Sequence, residues 1–216
     1  MSNLTLQELY KRLFQRYGPQ GWWPGEGRFE IIVGAILTQN TNWSNVEKAI
    51  ANLKAGGCLT PEALYALDID SLASMIRPAG YFNIKAQRLR HFLDWLFTRC
   101  GGDLDTAAQM SAQTLREELL SIKGIGPETA DSICLYAFEK AVFVVDTYTA
   151  RILGRHGMLW PEAGYEEIRE YFEGSLEKDV PLFNEFHALL VRLGKEHCKP
   201  TPLCQGCPLE DLPHQV

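Results

Sequence analysis

Apolar positions along this chain recur with the 3.6-residue period of amphipathic helices rather than with the two-residue period of strands. The segment "TLQELYKRLFQRY" places four large side chains on one helical face: Leu6, Leu9, Tyr10 and Leu13. The segment "RFEIIVGAILTQ" is apolar almost all round, which predicts a buried central helix. The run "AVFVV" is the one candidate strand, and a buried extended link is the preferred interpretation. The pattern predicts an all-α protein.

Capping residues and glycine stops mark the ends of the other expected helices. Ser44 is a candidate N-cap for "WSNVEKAIANLK", and short helices are expected in "TPEALYAL" and "DIDSLASMI". The long segment "IKAQRLRHFLDWLFTRC" ends before "GGD". Five further helical segments follow: "SAQTLREELLSI", "PETADSICLYAF", "TYTARILGRHG", "YEEIREYFEGSL" and "PLFNEFHALLVRLGKEHC".

Composition and charge narrow the class of protein without identifying it. With 216 residues, 46% of them hydrophobic and 22% charged, the chain can form one large or two small soluble domains. No apolar stretch approaches the roughly 18 residues of a membrane span, and "MSNLTLQELYKRL" lacks the apolar core of a secretion signal. A cytoplasmic protein is therefore expected. The net charge of −6 argues against non-specific coating of nucleic acid, although "IRPAGYFNIKAQRLRHF" is locally basic.

A glycine-flanked turn separates two apolar helices in "LREELLSIKGIGPETADSICLYAF". Gly124 and Gly126 permit positive φ and a close approach to the backbone. Pro127 suits the first position of the following helix, where its missing N–H costs nothing. The N–H groups of such a turn can hold one phosphate. From the residues alone, a helical hairpin made only for packing is an equally good interpretation.

The stretch 119 to 155 resembles the helix–hairpin–helix and Gly/Pro-rich loop plus aspartate of the endonuclease III superfamily of DNA base-excision glycosylases. "FEIIVGAILTQNTNWSNVEKAIANLK" and "AGYFNIKAQRLRHF" extend this likeness over most of the chain. The resemblance implies a two-lobed fold, with a six-helix barrel domain at 25–140 and a second lobe from 1–24 and 141–216. It also implies double-stranded DNA with a damaged base as the partner, bound in the cleft by a monomer associated with the nucleoid.

Asp146 follows the apolar run in "VFVVDTYTAR". A carboxylate there can stabilise positive charge on a sugar or orient a water molecule toward it. The residues alone favour a helix N-cap, whereas the resemblance implies the catalytic aspartate, and one side chain can serve both roles. Lyase-competent relatives carry a lysine two residues after the second glycine, where this chain has Glu128. Because a carboxylate cannot form a Schiff base, a monofunctional glycosylase is expected.

Tryptophans in two stretches suggest which base is removed. "GWWPGEGRFE" contains Trp22, Trp23 and Pro24, and "TQNTNW" contains Trp43. In both stretches the chain resembles the bacterial 3-methyladenine glycosylases of the endonuclease III type, which implies an aromatic pocket for an everted base. Indole faces attract cations such as N-alkylated purines by roughly 0.5 to 2 kcal/mol. Structural tryptophans of an all-α core are the alternative.

Further DNA contacts are implied by the same resemblance. Gln39 matches a residue that fills the gap left by the flipped base, and Tyr81 matches an intercalating wedge. Lys85 and Arg88 could steady backbone phosphates, as could Lys123 inside the turn. A polar helix end and a solvated basic helix face explain these residues equally well.

Six cysteines fall into two classes. Three are scattered and are expected to be free thiols: Cys58, Cys100 and Cys134. The others, Cys198, Cys204 and Cys207, are spaced C-x₅-C-x₂-C and resemble the four-cysteine iron–sulfur loop of the superfamily. Pro213 stands at the fourth position, so His214 or a non-protein ligand would complete a [4Fe-4S] cluster. A zinc site that also uses His197 or His214, and a loop without metal, are the alternatives.

Two other functions stay open on the sequence. One is an endonuclease III-like glycosylase for oxidised pyrimidines with AP-lyase activity, which requires a lysine that the hairpin lacks. The other is a non-catalytic helix–hairpin–helix protein that only binds DNA. The acidic net charge favours a catalyst over a simple binder, because a binder depends more on phosphate attraction.

Overall fold

The computed structural model describes residues 4–23, 25–160 and 162–215. Within these ranges the chain forms twelve α-helices, a 3₁₀ turn and a π-helical turn, and no strand, which confirms the all-α prediction. The helices are α1 (Leu6–Tyr17), α2 (Arg28–Leu37), α3 (Trp43–Ala55), α4 (Pro61–Ala66), α5 (Ile69–Met75), α6 (Phe82–Cys100), α7 (Leu104–Ala108), α8 (Ala112–Ser121), α9 (Pro127–Ser132), α10 (Thr147–Arg155), α11 (Tyr165–Ser175) and α12 (Val180–Glu196). The 3₁₀ turn is Arg77–Ala79 and the π turn is Ile133–Ala137.

The chain divides into two compact units. The hairpin unit is Pro24–Lys140 and contains α2 to α9. The aspartate unit consists of Met1–Trp23 and Ala141–Val216 and contains α1 and α10 to α12. The division expected from the sequence placed its boundaries at 24/25 and 140/141. None of the described helices combines the length and the apolarity that a membrane crossing requires.

Helix α2 is the centre of the hairpin unit. It packs against α3, α6, α9 and the π turn, and almost all of its side chains are buried. The prediction of a buried central helix is therefore confirmed. Gly34 lets the indole of Trp43 lie against α2, since a Cβ at this glycine would be 3.3 Å from the Cη2 atom of Trp43.

The N-cap of α3 differs from the sequence prediction. Asn42, not Ser44, is the cap: its extended backbone precedes the helix and its Oδ1 accepts from Asn45 N–H at 3.1 Å. The hydroxyl of Ser44 donates to the same oxygen at 2.7 Å. Asparagine is at least as good an N-cap as serine, so the helix begins two residues earlier than a cap at Ser44 would place it.

The core of the aspartate unit is aromatic. The rings of Phe143 and Phe172 stack at 3.8 Å between centroids, and the rings of Phe183 and Phe186 meet Phe143 edge-on at 5.4 and 6.1 Å. Phe143 belongs to the stretch 142–145, which is buried and has no regular secondary structure. This confirms the buried extended link expected from "AVFVV". Because the ring of Phe143 anchors this link in the core, the position of Asp146, which directly follows the link, is fixed as well.

Candidate functional site

Asp146 is the N-cap of α10. Its Oδ1 accepts two hydrogen bonds from Thr149, one from the backbone N–H at 2.8 Å and one from the hydroxyl at 2.9 Å. Thr149 is completely buried, so this capping arrangement is held within the unit. Asp146 therefore has the N-cap role that the residues alone favoured, and this role uses one of its two carboxylate oxygens.

The second oxygen of Asp146 faces a histidine. Nε2 of His187 lies 3.6 Å from Oδ2, and the two side chains are 6% and 10% exposed. Burial alone would raise the pKa of the Asp146 carboxyl group. The neighbouring His187 and the two hydrogen bonds from Thr149 outweigh that effect and hold this pKa below its ordinary value. The aspartate is therefore a buried carboxylate that is ionised at neutral pH.

A glycine brings α12 close enough to α10 for this contact. A Cβ at Gly194 would overlap the side chain of Tyr148, the second residue of α10. Gly194 and His187 are seven residues apart on α12 and so lie on the same helical face. Sequence reasoning missed His187, which stands inside an apolar stripe with Phe183, Phe186 and Leu190 as its neighbours. A single imidazole within such a stripe was the available signal.

The glycine turn of the hairpin unit uses only one of its glycines for conformation. Gly124 has φ +94°, and a Cβ there would come within 2.6 Å of Arg88 Cγ. Gly126, in contrast, has φ −96° and ψ 177°, which any residue adopts. A Cβ at Gly126 would meet nothing within 4 Å. Gly126 therefore does not use the positive φ that glycine permits, and no contact inside the unit requires its small size.

Side chains from α6 and from the turn that follows α2 brace this glycine turn. Nε2 of Gln39 donates to the hydroxyl of Thr129 at 2.9 Å and to the carbonyl of Gly124 at 3.2 Å. Arg88 donates to Oε1 of Gln39. Nδ1 of His91 lies 2.9 Å from the carbonyl of Lys123 and therefore donates to it. Gln39 and Arg88, expected as DNA contacts, are engaged with the hairpin itself in this conformation.

Lys85 occupies a different place from the solvated phosphate contact expected of it. Its side chain is buried, and Nζ donates to the carbonyls of Leu37 at 2.8 Å and Ala79 at 2.7 Å. Burial lowers the pKa of Lys85 to about 8. The ammonium group satisfies the end of α2 and the 3₁₀ turn, because these carbonyls have no helical partner there. Its donors are therefore directed inward and not at a phosphate.

Exposed residues flank this buried lysine. Tyr81 has a left-handed backbone with φ 45° immediately before α6, and 68% of its surface is exposed. Ile84, one turn into the helix, is 52% exposed. Lys123 in the turn is also exposed. A non-glycine residue with positive φ is uncommon, so the loop presents Tyr81 to solvent in a constrained conformation.

The four predicted base-binding residues are distributed over both units. In the aspartate unit, the rings of Trp22 and Trp23 are half-buried and meet edge to face at 5.6 Å, and Lys195 Nζ lies 5.8 Å from the Trp22 ring centroid. In the hairpin unit, Trp43 is half-buried and its Nε1 donates to Glu47 at 3.0 Å. Pro24 lies outside the described residues.

The C-terminal cysteines share one pocket. Cys198, Cys204 and Cys207 line it together with His197 and His214. Arg155 donates to Cys198 Sγ at 3.3 Å and to two carbonyls of the following loop, those of Lys199 and Pro200. The guanidinium group thus shapes this loop and contacts the sulfur of its first cysteine.

The two histidines of this pocket have their tautomers fixed by carbonyl groups. Nδ1 of His197 lies 2.9 Å from the carbonyl of Leu203, and Nδ1 of His214 lies 2.8 Å from that of Leu212. A carbonyl only accepts, so each Nδ1 carries the proton and each Nε2 keeps a lone pair for a metal.

The pocket contains the donor types that bind iron–sulfur clusters or zinc, namely thiols and imidazole nitrogens. Among the described residues, no three His, Cys, Asp or Glu side chains form a group that could hold a single metal ion. Among the described residues, the buried hydroxyl of Tyr17 has no hydrogen-bond partner. Burial, followed by the charges of Glu196 and Cys207, raises the pKa of Tyr17 to about 12, so this hydroxyl keeps its proton at neutral pH.

Comparisons with known proteins agree with this arrangement. The family model for HhH-GPD superfamily base excision DNA repair proteins matches residues 33–178. The chain is 45% identical to MJ1434 of Methanocaldococcus jannaschii, classed as a DNA repair glycosylase, over 96% of this chain and 94% of that protein. It is 32% identical to endonuclease III of Sulfolobus acidocaldarius, over 85% of this chain and 80% of that protein.

Solved structures give the same result. The crystal structure of H. pylori 3-methyladenine DNA glycosylase (MagIII) bound to 1,N6-ethenoadenine matches with a TM-score of 0.77 at 28% identity. The match covers 89% of this chain and 98% of that chain. The two-lobed helix–hairpin–helix fold class expected from the sequence is thereby confirmed.

Proposed function

The chain belongs to the HhH-GPD superfamily of base excision DNA repair proteins, and from this premise we propose that it is a monofunctional DNA glycosylase that removes alkylated purines such as 3-methyladenine. The function of the family is base excision from DNA by a glycosylase that binds the DNA. The loss of lyase activity and the choice of base are the proposed parts.

Asp146 is the observation that carries the proposal. Its Oδ1 caps α10, while its Oδ2 takes no hydrogen bond from Thr149 and is held at ion-pair distance from His187. An ionised carboxylate stabilises the positive charge that develops on the deoxyribose when the bond from C1′ to the base nitrogen breaks. Water then adds its oxygen to C1′, and its proton leaves with the base or passes to the carboxylate.

The residue types in the hairpin support the proposed absence of AP-lyase activity. The position of the nucleophilic lysine in lyase-competent relatives is Glu128, which cannot form a Schiff base. Lys85 is buried, and its Nζ donates hydrogen bonds to two carbonyl groups. It is therefore not placed to attack a sugar aldehyde as a nucleophile. Lys123 is exposed within the turn and is proposed to contact a phosphate.

The base preference rests on the tryptophans. Trp22, Trp23 and Trp43 are half-buried indoles, which are well suited to stack on an everted, positively charged purine. The H. pylori relative is named for 3-methyladenine and was solved with a modified adenine bound. We propose the same class of base for this chain.

The DNA contacts are proposed on two exposed loops. Gly126 has open space where a Cβ would be, so a phosphate group can approach its backbone closely. Tyr81 is exposed and conformationally constrained, as a wedge inserted between base pairs must be. Gln39 would have to leave Thr129 and Gly124 to fill the space of the flipped base, so it is proposed to do so only on DNA.

A structural [4Fe-4S] cluster is proposed for the C-terminal pocket. Cys198, Cys204 and Cys207 would bind three of its irons, and Nε2 of His214 would replace the fourth cysteine. Such a cluster would tie the loop to α12 and to Arg155, which already donates to Cys198. Its role would be to stabilise the fold of the aspartate unit.

An endonuclease III-type specificity is the second candidate. The 32% identity to endonuclease III of Sulfolobus acidocaldarius favours it. Duplexes with one defined lesion each separate the two functions, with free base and strand cleavage measured independently. Release of 3-methyladenine from an intact strand supports the proposal. Release of thymine glycol with strand cleavage supports the second candidate and contradicts the first.

A further inference from the structure

We infer that His187 is a positioning residue that holds the Asp146 carboxylate ionised, with Oδ2 directed away from the helix cap and available to the reaction. The inference rests on the proposed catalytic role of Asp146. It adds a residue that is 41 positions away in the chain and that touches neither the sugar nor the base in this account.

The two oxygens of the carboxylate have separate partners. Oδ1 is bound by Thr149 through two hydrogen bonds of 2.8 and 2.9 Å. Oδ2 faces Nε2 of His187 at 3.6 Å. The separation is longer than a normal hydrogen bond, and the contact lowers the pKa of Asp146 both through hydrogen bonding and through charge. The histidine can therefore stabilise the anion while this oxygen stays available to the sugar.

Burial makes such a partner necessary. An isolated carboxylate that is 10% exposed would take up a proton more readily than in water, because its charged form loses hydration. Among the described residues, His187 is the one basic side chain that forms an ion pair with Asp146. Removing it leaves the Thr149 hydrogen bonds and the N-terminal end of α10 to favour the charged form.

Other polar and charged groups on α10, α11 and α12 bind partners other than Asp146. On α11, the Tyr165 hydroxyl accepts from Val145 N–H at 3.3 Å. The charged residues of α10 and α12 bind other partners: Arg151 the carbonyl of Cys198, Arg155 that of Lys199, Glu185 the N–H of Gln20, and Arg192 the carboxylate of Glu196. Lys195 lies over the Trp22 ring.

Packing fixes the distance between the two residues. Helices α10 and α12 are in close contact, and Gly194 allows α12 to approach Tyr148. His187 lies two turns before this glycine on the same face, and both His187 and Thr149 are buried. A histidine within an apolar stripe costs stability unless it interacts with a polar group. The pairing with Asp146 gives this histidine a function that leucine could not supply.

The test compares His187→Gln and His187→Leu with the wild-type protein and with Phe172→Leu. Phe172→Leu loses packing in the same unit without removing a charge, so it controls for lower stability. Single-turnover release of 3-methyladenine from a methylated duplex is measured as a function of pH, together with affinity for the unmethylated duplex. Both His187 variants should move the acidic limb of the rate profile to higher pH by about one unit, a tenfold slower rate on that limb. Duplex affinity should not change.

A measurement that does not involve catalysis tests the pairing of His187 with Asp146 independently of the proposed function. The carboxyl carbon of Asp146 is titrated by ¹³C NMR in the wild type, in both His187 variants and in Phe172→Leu. The pKa of Asp146 should rise in the His187 variants alone. An unchanged Asp146 titration in a folded His187 variant overturns the inference, whatever the enzyme does. If Asp146→Asn still released the base, the proposed function would fail while the NMR titration still decided the pairing.

Discussion

Nε2 of His187 lies 3.6 Å from Oδ2 of Asp146, while Oδ1 of the same carboxylate is used to cap α10. One buried side chain thus combines a structural role and a candidate catalytic role, with one oxygen for each. This division means that substitutions of Asp146 can be chosen to remove charge without removing the cap.

Substitution of Gly194 tests the packing that brings the two residues together. Gly194→Ala places a Cβ inside the Tyr148 side chain and should destabilise the protein by about 1 to 3 kcal/mol in urea unfolding. Gly174→Ala on α11 is the matched control, because a Cβ there meets nothing within 4 Å. It should be neutral or stabilising by up to about 1 kcal/mol. Equal stabilities of the two variants would contradict the close α10–α12 contact.

The two glycines of the turn should respond in opposite ways. Gly124→Ala is strained by the φ of +94° and by Arg88, so it should lower the melting temperature of the protein. Gly126→Ala should cost less than about 1 kcal/mol of stability but weaken duplex binding, because the new methyl group projects into the space proposed for a phosphate. Fluorescence anisotropy with a labelled duplex measures this. Normal binding by Gly126→Ala would remove Gly126 from the DNA interface.

The salt dependence of duplex binding should distinguish Lys123 from Lys85, and the pH dependence of stability tests the burial of Lys85. Lys123→Met should reduce the salt dependence of duplex binding by about one unit of slope, and Lys85→Met should leave that slope unchanged. A reduced slope for Lys85→Met would restore the phosphate contact expected from the sequence.

Burial lowers the pKa of Lys85 from its ordinary value of 10.5 to about 8. Between these two values the unfolded chain binds the proton more tightly, so the lysine contributes more stability as the pH rises through this window. The stability of the wild type relative to Lys85→Met should therefore increase by about 3 kcal/mol across it. Urea unfolding at pH 7.5 and at the alkaline end, roughly pH 10.5, measures the difference. A constant difference would show that the lysine is not desolvated.

The C-terminal pocket predicts a particular pattern of metal content. Protein purified without oxygen should contain about four irons and four sulfides per chain. His214→Ala should lower the iron content, whereas His214→Cys should retain it, since it restores a fourth thiolate. His197→Ala serves as the control, because this histidine lines the same pocket but is not proposed as a ligand. A colourless protein without iron, or equal iron loss in His197→Ala, would contradict the ligand set.

The helical fold was predictable because its signals are local. The apolar stripe of α1, the all-round apolar α2 and the glycine-stopped α6 follow from periodicity and capping alone. Capping is less specific in detail, since Asn42 and Ser44 compete for the start of α3 and only their backbone angles decide between them.

The site was only partly predictable because its contacts are distant in the chain. Lys85 is polar and lies in a basic stretch, but its Nζ meets carbonyls of Leu37 and Ala79, which no local pattern brings together. His187 gave a weak signal, an imidazole among apolar residues, and its partner is set by the crossing of α10 and α12. The sequence could not show that φ of Gly126 is negative, because glycine adopts both signs of φ.

Single-turnover base release by Asp146→Asn tests the central claim most directly. Asparagine keeps the N-cap but carries no charge, so the fold and the affinity for a lesion-containing duplex should be preserved. Release of 3-methyladenine should fall by a factor of about 100 or more. Release at the wild-type rate by a folded Asp146→Asn protein would show that this carboxylate is not the catalytic group.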